Sequence, residues 1–178
     1  MIKKILLTVL AVIVVCIGSV VWIVKANDKE NKDNAVIFDK GNSSKNALIV
    51  YQNSRSSFCK DVGENIAKGL SEDGYKVIVN QPGDYLEKDL SKYDLVIFGS
   101  PIYAGQTSSQ IKKYADSIKN YGKAQVICYC VGAVKDTDES VKFKDVFKTE
   151  VKGSFKVVKS NYDSDKDLPI KEVRKIIK

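Results

Sequence analysis

Two short polar stretches hold the residues that could bind a ligand. The first follows the apolar run from Ala47 to Tyr51 and precedes a segment whose apolar residues, Val62, Ile66 and Leu70 among them, recur at helical spacing. A loop that opens a helix presents free backbone N–H groups and a positive dipole end, which suits a phosphate. An arginine in this loop could offset the charge of the anion. The candidate residues are Ser54, Arg55, Ser56, Ser57, Phe58 and Cys59.

The second stretch, DLVIFGSPIYAGQ, begins at Asp94 and ends at Gln106. Its apolar run predicts a buried strand, and the residues after that strand form a loop. Gly105 permits close approach of a ligand to the backbone because it lacks a Cβ atom. An alternative is that Pro101 and Gly105 only shape a turn. The candidate residues are Pro101, Ile102, Tyr103, Ala104, Gly105 and Gln106.

Strand and helix patterns alternate along the chain, which predicts a parallel sheet with helices on both faces. In such a sheet the ligand crevice lies beyond the carboxyl ends of the strands, at the switch point between the first and third strands. Both polar stretches follow those strands. The predicted strands are 47–51, 76–80, 95–98, 124–131 and 154–158. The predicted helices are 60–73, 108–120, 140–151 and 169–178, with at most a short one at 86–92.

The second stretch contains Gly99-Ser100-Pro101-Ile102-Tyr103-Ala104-Gly105, which resembles the loop after the third strand in the flavodoxin-like family. The resemblance covers residues 46–178. It implies an α/β three-layer sandwich with a five-stranded parallel sheet of order 2-1-3-4-5. It further implies noncovalent binding of FMN and a role in electron transfer or as a flavin-dependent oxidoreductase, with a redox partner protein or a quinone as the partner.

The resemblance also assigns roles to the candidate residues. Residues 54–59 would surround the FMN phosphate, and Tyr103 would stack on the flavin ring while the amides of residues 103–106 meet its polar edge. Gly132 would let the ring settle against a third loop. The first loop departs from the family pattern, because Ser57 replaces a glycine and Cys59 a threonine. A flavin-free module that serves as an anchored protein-binding domain is therefore the alternative.

The N-terminal region is predicted to anchor the chain in a membrane. Ile5 to Val24 contains no charged residue, and as a helix it would span about 30 Å, enough to cross a bilayer core. Trp22 suits the membrane interface. A cleavable signal peptide is the competing interpretation. The domain organisation is thus an anchor at 1–26, a polar linker at 27–45 and the flavodoxin-like domain at 46–178.

Composition excludes several function classes. The chain has no histidine, which leaves little for a zinc site or a histidine-based catalytic triad, and no metal site is predicted. Its formal net charge is +7, but no basic stripe alternates with aromatic residues, so nucleic acid is not an expected partner. Cys128 and Cys130 would lie on the same face of one strand and act as small buried residues. The flanking lysines slightly favour a cytoplasmic domain, although the short basic N-terminus favours the opposite side.

Overall fold

A computed structural model describes residues 2–54 and 56–178. Its centre is a sheet of six strands, arranged in the order β1-β3-β2-β4-β5-β6. The strands are β1 (Val36–Phe38), β2 (Lys45–Tyr51), β3 (Tyr75–Asn80), β4 (Leu95–Pro101), β5 (Gln125–Gly132) and β6 (Val151–Val158).

The five strands β2 to β6 are parallel, and their order is the predicted 2-1-3-4-5. This confirms the predicted fold class. The predicted count of five strands is corrected to six, because β1 pairs antiparallel with β3, with Ile37 opposite Ile78. β1 lies in the segment that the sequence predicts to be a polar linker. Its apolar residues 36–38 are enough to extend the sheet, since the edge of β3 offers unpaired backbone groups.

Six α-helices accompany the sheet among the described residues. They are α1 (Ile2–Asn27), α2 (Phe58–Glu72), α3 (Ser109–Ser117), α4 (Ser140–Phe143), α5 (Lys159–Ser164) and α6 (Leu168–Ile177). Residues 86–92 are not helical, because the Asp89 carboxylate holds the Ser91 amide and Asp89 bridges to Asn120 instead. The predicted helix at 140–151 is shorter than expected, since a 3-10 turn (Lys144–Val146) and the start of β6 follow α4.

Each face of the sheet has its own apolar core. Ile49, Ile97 and Tyr129 belong to the core on the face covered by α2 and α6. Val50 and Phe98 belong to the core on the face of α3 and α4. Alternate residues of each strand supply the two cores, because side chains of a strand point to opposite faces. Cys128 and Cys130 are both buried in the second core, as predicted, and both are free thiols.

Candidate functional site

The first polar loop connects β2 to α2 at the end of the sheet where the parallel strands have their C-termini, here named the carboxyl edge. The opposite end, where these strands begin, is named the amino edge. The Ser54 hydroxyl donates a hydrogen bond to the Ser56 carbonyl oxygen at 2.6 Å. Ser57 has an ordinary right-handed backbone (φ −67°), so this position does not require a glycine. Its hydroxyl donates to the Asp61 carboxylate at 2.8 Å and does not cap the helix. Arg55 lies outside the described residues.

The side chains of Phe58 and Cys59 point into the core and not to the loop. The Phe58 ring packs on that of Tyr162, with centroids 5.5 Å apart. The Cys59 thiol is fully buried 3.9 Å from the Tyr129 hydroxyl, and burial raises the pKa of Cys59 to about 12. At both positions only the backbone N–H group faces the helix terminus. The Cys59 thiol, which replaces a threonine of the family pattern, is therefore placed in the core and not in the loop.

The second polar loop is a tight hairpin after β4. Ala104 and Gly105 both have positive φ, +50° and +73°, as a two-residue type I′ connection requires. The Tyr103 amide donates to the Gln106 carbonyl oxygen at 3.1 Å, and the Gln106 amide donates back at 3.0 Å. Because these two amides are paired within the loop, the amides that remain for a ligand are those of Ala104 and Gly105.

Backbone hydrogen bonds tie the three loops to one another. The Gln52 amide donates to the Gly99 carbonyl oxygen at 2.9 Å, which joins the ends of β2 and β4. The Ile102 amide donates to the Val131 carbonyl oxygen at 3.0 Å, which joins the second loop to the end of β5, where the third loop (residues 132–139) begins. The structure thus brings the described sequence-predicted residues to one edge of the sheet, at the predicted switch point.

The third loop is held by an ion pair that the sequence did not reveal. Lys156 donates to the Glu139 carboxylate at 2.6 Å, and the two side chains are only 7% and 15% exposed. The Lys156 ammonium also bonds the Thr137 carbonyl oxygen at 2.6 Å, and its contact lowers the pKa of Glu139. A Cβ atom at Gly132 would lie 3.3 Å from Lys156 Cε. A cation therefore lies directly beside the predicted site residue Gly132.

Residues 28–34, here named the strap, cross the carboxyl edge. The Asp28 carboxylate accepts hydrogen bonds from the Ser108 hydroxyl at 2.6 Å and the Ser109 amide at 2.9 Å. It therefore caps α3 from 80 residues away. Further along, the Asn34 amide donates to the Asn80 side chain at 3.2 Å. Within the predicted polar linker, the polar residues of the strap thus bond to the start of α3 and the end of β3.

Gln52 is the buried polar residue at the centre of this edge, and it is only 1% exposed. Its side-chain oxygen accepts from the Asn31 amide group at 2.9 Å, and its side-chain nitrogen donates to the Lys29 carbonyl oxygen at 3.3 Å. A cavity of about 350 Å³ lies between the strap and the first loop, with Gln52 and Ser54 in its wall. Gln52 was not among the site residues predicted from the sequence, although its position directly after the apolar run of β2 places a polar side chain at the end of a buried strand.

The comparisons with known proteins agree with this arrangement. The family model described as a flavodoxin domain matches residues 48–161, more than half of the chain. The chain belongs to the flavodoxin family. No curated protein matches the sequence of this flavodoxin-family chain.

Solved structures share its fold at low sequence identity. A flavoprotein from Lactobacillus acidophilus NCFM, in complex with FMN, is 19% identical with a TM-score of 0.52, over 68% of this chain and 98% of that one. Flavodoxin 2 from Bacillus cereus is 16% identical with a TM-score of 0.55, over 73% and 99%. An NAD(P)H:quinone oxidoreductase from Methanothermobacter marburgensis is 18% identical with a TM-score of 0.50, over 75% and 97%.

Proposed function

We propose that this flavodoxin-family chain is a membrane-anchored protein that binds FMN and acts in electron transfer or as a flavin-dependent oxidoreductase. The observation that carries the proposal is the meeting of three loops at the switch point of the parallel sheet, one of them opening a helix of 15 residues. Family membership and the FMN named with the Lactobacillus acidophilus flavoprotein support the choice of ligand.

The first loop fits a phosphate group through its backbone. The first amides of α2 have no acceptor within the helix, and the Ser57 hydroxyl does not cap them. The hydroxyls of Ser54 and Ser56 precede this helix terminus in the same loop and lie 3.5 Å from each other. The Asp61 carboxylate in the first turn opposes an anion. Backbone amides of residues 57–59 and the hydroxyls of Ser54 and Ser56 would hold the phosphate.

The second and third loops fit a flat ring. The Gly105 backbone is open, because a Cβ atom there would meet no atom within 4 Å. The Tyr103 ring is half-buried and would lie against the flavin, while the amides of Ala104 and Gly105 would meet its polar edge. Gly132 would contact the ring from the other side, with the Lys156 ammonium close by. Bound FMN would supply the redox chemistry, and the chain would position it and set its electrostatic surroundings.

The membrane part of the proposal depends on α1. This helix has a span of 25 residues, Ile2–Ala26, long and apolar enough to cross a bilayer, and none of its most apolar window is buried against the domain. Such a helix near the N-terminus also has the character of a signal sequence. We propose an uncleaved single-pass anchor, with a redox protein or a quinone as the partner. The named activity of the Methanothermobacter marburgensis neighbour supports the quinone.

A flavin-free binding module is the second candidate function. Two observations favour it: the Ser57 hydroxyl is already bonded to Asp61, and the Cys59 thiol is buried in the core. The family pattern that the sequence resembles has a glycine and a threonine at these two positions. Under this alternative the strap and the three loops would form a surface for a protein partner.

Titration of the full-length chain in detergent micelles separates the two candidates. FMN is added, free flavin is removed by desalting, and the visible absorbance of the protein fraction is recorded. The proposal predicts a retained yellow chromophore and at least tenfold weaker binding of riboflavin, because riboflavin lacks the phosphate. A folded, colourless protein that binds neither compound would support the flavin-free module.

A further inference from the structure

The anchor helix joins the domain at one particular edge of the sheet. Asp28 is the first residue after α1, and its carboxylate is bonded to Ser108 and Ser109 at the start of α3. The Gln110 side chain adds a hydrogen bond to the Asp28 carbonyl oxygen at 3.3 Å. Because no chain intervenes between the helix end and these bonds, the end of α1 is fixed at the carboxyl edge.

The rest of the strap continues this attachment instead of leading away from it. The Tyr85 hydroxyl donates to the Lys32 carbonyl oxygen at 3.0 Å. The Asn80 side chain donates to the Asp33 carboxylate at 2.9 Å. Together with the bonds of Gln52, these contacts secure the strap over the ends of β2 and β3. The domain therefore cannot swing freely on the anchor while the strap is bonded.

The last turn of α1 also touches the candidate site. Val24 lines a narrow gap of about 10 Å³ together with Pro101 and Tyr103 of the second loop. The preceding residues of α1 are exposed along the whole helix, so the helix extends away from the domain. A bilayer that contains this helix must begin close to the second loop.

Exposed apolar side chains occur at the same edge. Among residues 28–54 and 56–178, four large hydrophobic side chains are exposed: Ile37, Tyr85, Val134 and Val141. Tyr85 follows β3 and Val134 follows β5, so both lie on loops at the carboxyl ends of parallel strands. Exposed charges of both signs accompany them on the same segments: Lys29, Lys32 and Lys135 beside Glu30, Asp33 and Asp136. The position of α1 and the exposed apolar side chains, and not a net positive charge, therefore indicate a membrane-facing edge.

We propose that the carboxyl edge of the sheet docks on the lipid headgroups of the bilayer that contains α1. The hydrogen bonds of the strap fix this orientation. The inference rests on the membrane anchoring proposed above. The candidate flavin site then faces the membrane, and its redox partner is reached at or within the bilayer. The amino edge of the sheet lies about 23 Å farther away, the length of a seven-residue strand.

Quenching by lipids with a spin label on the headgroup tests this orientation. A fluorophore is attached to Val134→Cys at the carboxyl edge or to Lys123→Cys at the amino edge, in the full-length chain with Cys16→Ser. The other cysteines are buried and stay unlabelled. The protein is reconstituted in vesicles of phosphatidylcholine and phosphatidylglycerol. We expect at least threefold stronger quenching at position 134 than at position 123.

Equal quenching at the two positions, in protein that floats with the vesicles, would overturn the proposal. Asp28→Asn is the second variant. It should reduce the difference in quenching between positions 134 and 123, because it weakens the hydrogen bonds of the strap to α3. An undiminished difference in that variant would rule out the Asp28 carboxylate as the contact that sets the orientation. Protein that fails to float would instead refute the anchor itself. FMN binding is not used in any arm, so a failure of flavin binding is detected separately.

Discussion

The Asp28 carboxylate accepts a 2.6 Å hydrogen bond from the Ser108 hydroxyl, and this contact joins the end of α1 to the start of α3. The Ser108 hydroxyl in turn accepts from the Gln110 amide at 3.1 Å. One residue next to the apolar helix thus completes the cap of a helix in the domain. The long apolar helix and the candidate site are therefore parts of one hydrogen-bonded unit.

Asp28→Ala should lower the free energy of unfolding by about 1 kcal/mol, the usual cost of removing a helix cap. Hydrogen exchange should become faster in the strap and in the first turn of α3. Urea unfolding and exchange mass spectrometry of the full-length chain measure the two effects. Glu30→Gln is the matched control, because its exposed ion pair with Lys113 at 3.7 Å should contribute less than about 0.5 kcal/mol. Equal effects of the two variants would contradict the capping role.

Asp61→Asn should strengthen FMN binding about two- to fivefold. The change removes a negative charge from the first turn of α2, where a charge is worth about 0.3–1 kcal/mol. Glu64→Gln is the control, since this residue lies one turn farther along and pairs with Lys60 at 3.6 Å. Fluorescence titration with FMN gives both affinities. An unchanged affinity in Asp61→Asn would show that the phosphate does not bind at the N-terminus of α2.

Gly105→Ala should weaken FMN binding at least tenfold, because a methyl group would occupy the backbone surface that faces the ring. It should also cost about 1 kcal/mol of stability, since φ is +73°. Gly41→Ala is a matched control: its φ is +85°, and a Cβ atom there also meets no atom within 4 Å. The control should lose similar stability and keep its FMN affinity. Similar affinities in the two variants would count against a ring at Gly105.

The free energy of unfolding should fall as the pH rises from about 9 to 12. Burial raises the pKa of Cys59, Cys128 and Tyr51 to about 12 in the folded chain. These groups are neutral when protonated, so the unfolded chain loses their protons first and is favoured at high pH. Each buried thiol should contribute about 2 kcal/mol of destabilisation at pH 10.5. Urea midpoints at pH 8 and 10.5 measure the fall, which Cys59→Ala should reduce; an equal fall would contradict the assignment.

Much of the fold could be predicted from the sequence because periodicity and burial agree there. The strand that holds Ile49 is apolar on both faces, which is the pattern of a central parallel strand, and it is buried as expected. The antiparallel strand at Val36–Phe38 could not be predicted with the same ease. Three apolar residues in a polar segment gain their stability from β3, a long-range partner that no local pattern shows.

The sequence predicted which loops form the candidate site, but it did not predict the hydrogen bonds within and between them. The positions of Tyr103 and Gly105 followed from the motif, whereas the pairing of the Tyr103 and Gln106 amides depends on the turn geometry. The contact of Lys156 with Glu139 joins residues 17 positions apart on different elements. Asp28 bonds to Ser108 from the segment that the sequence predicts to be a polar linker. Such contacts arise from tertiary structure, so spacing along the chain did not reveal them.

Hydrogen exchange of the full-length chain with and without saturating FMN locates the proposed flavin site. We expect FMN to slow exchange at residues 54–60 and 101–106, while residues 86–94, which lead into the amino end of β4, keep their rates. Protection at residues 86–94, or no protection at either loop, would contradict an FMN site at the carboxyl edge of the sheet.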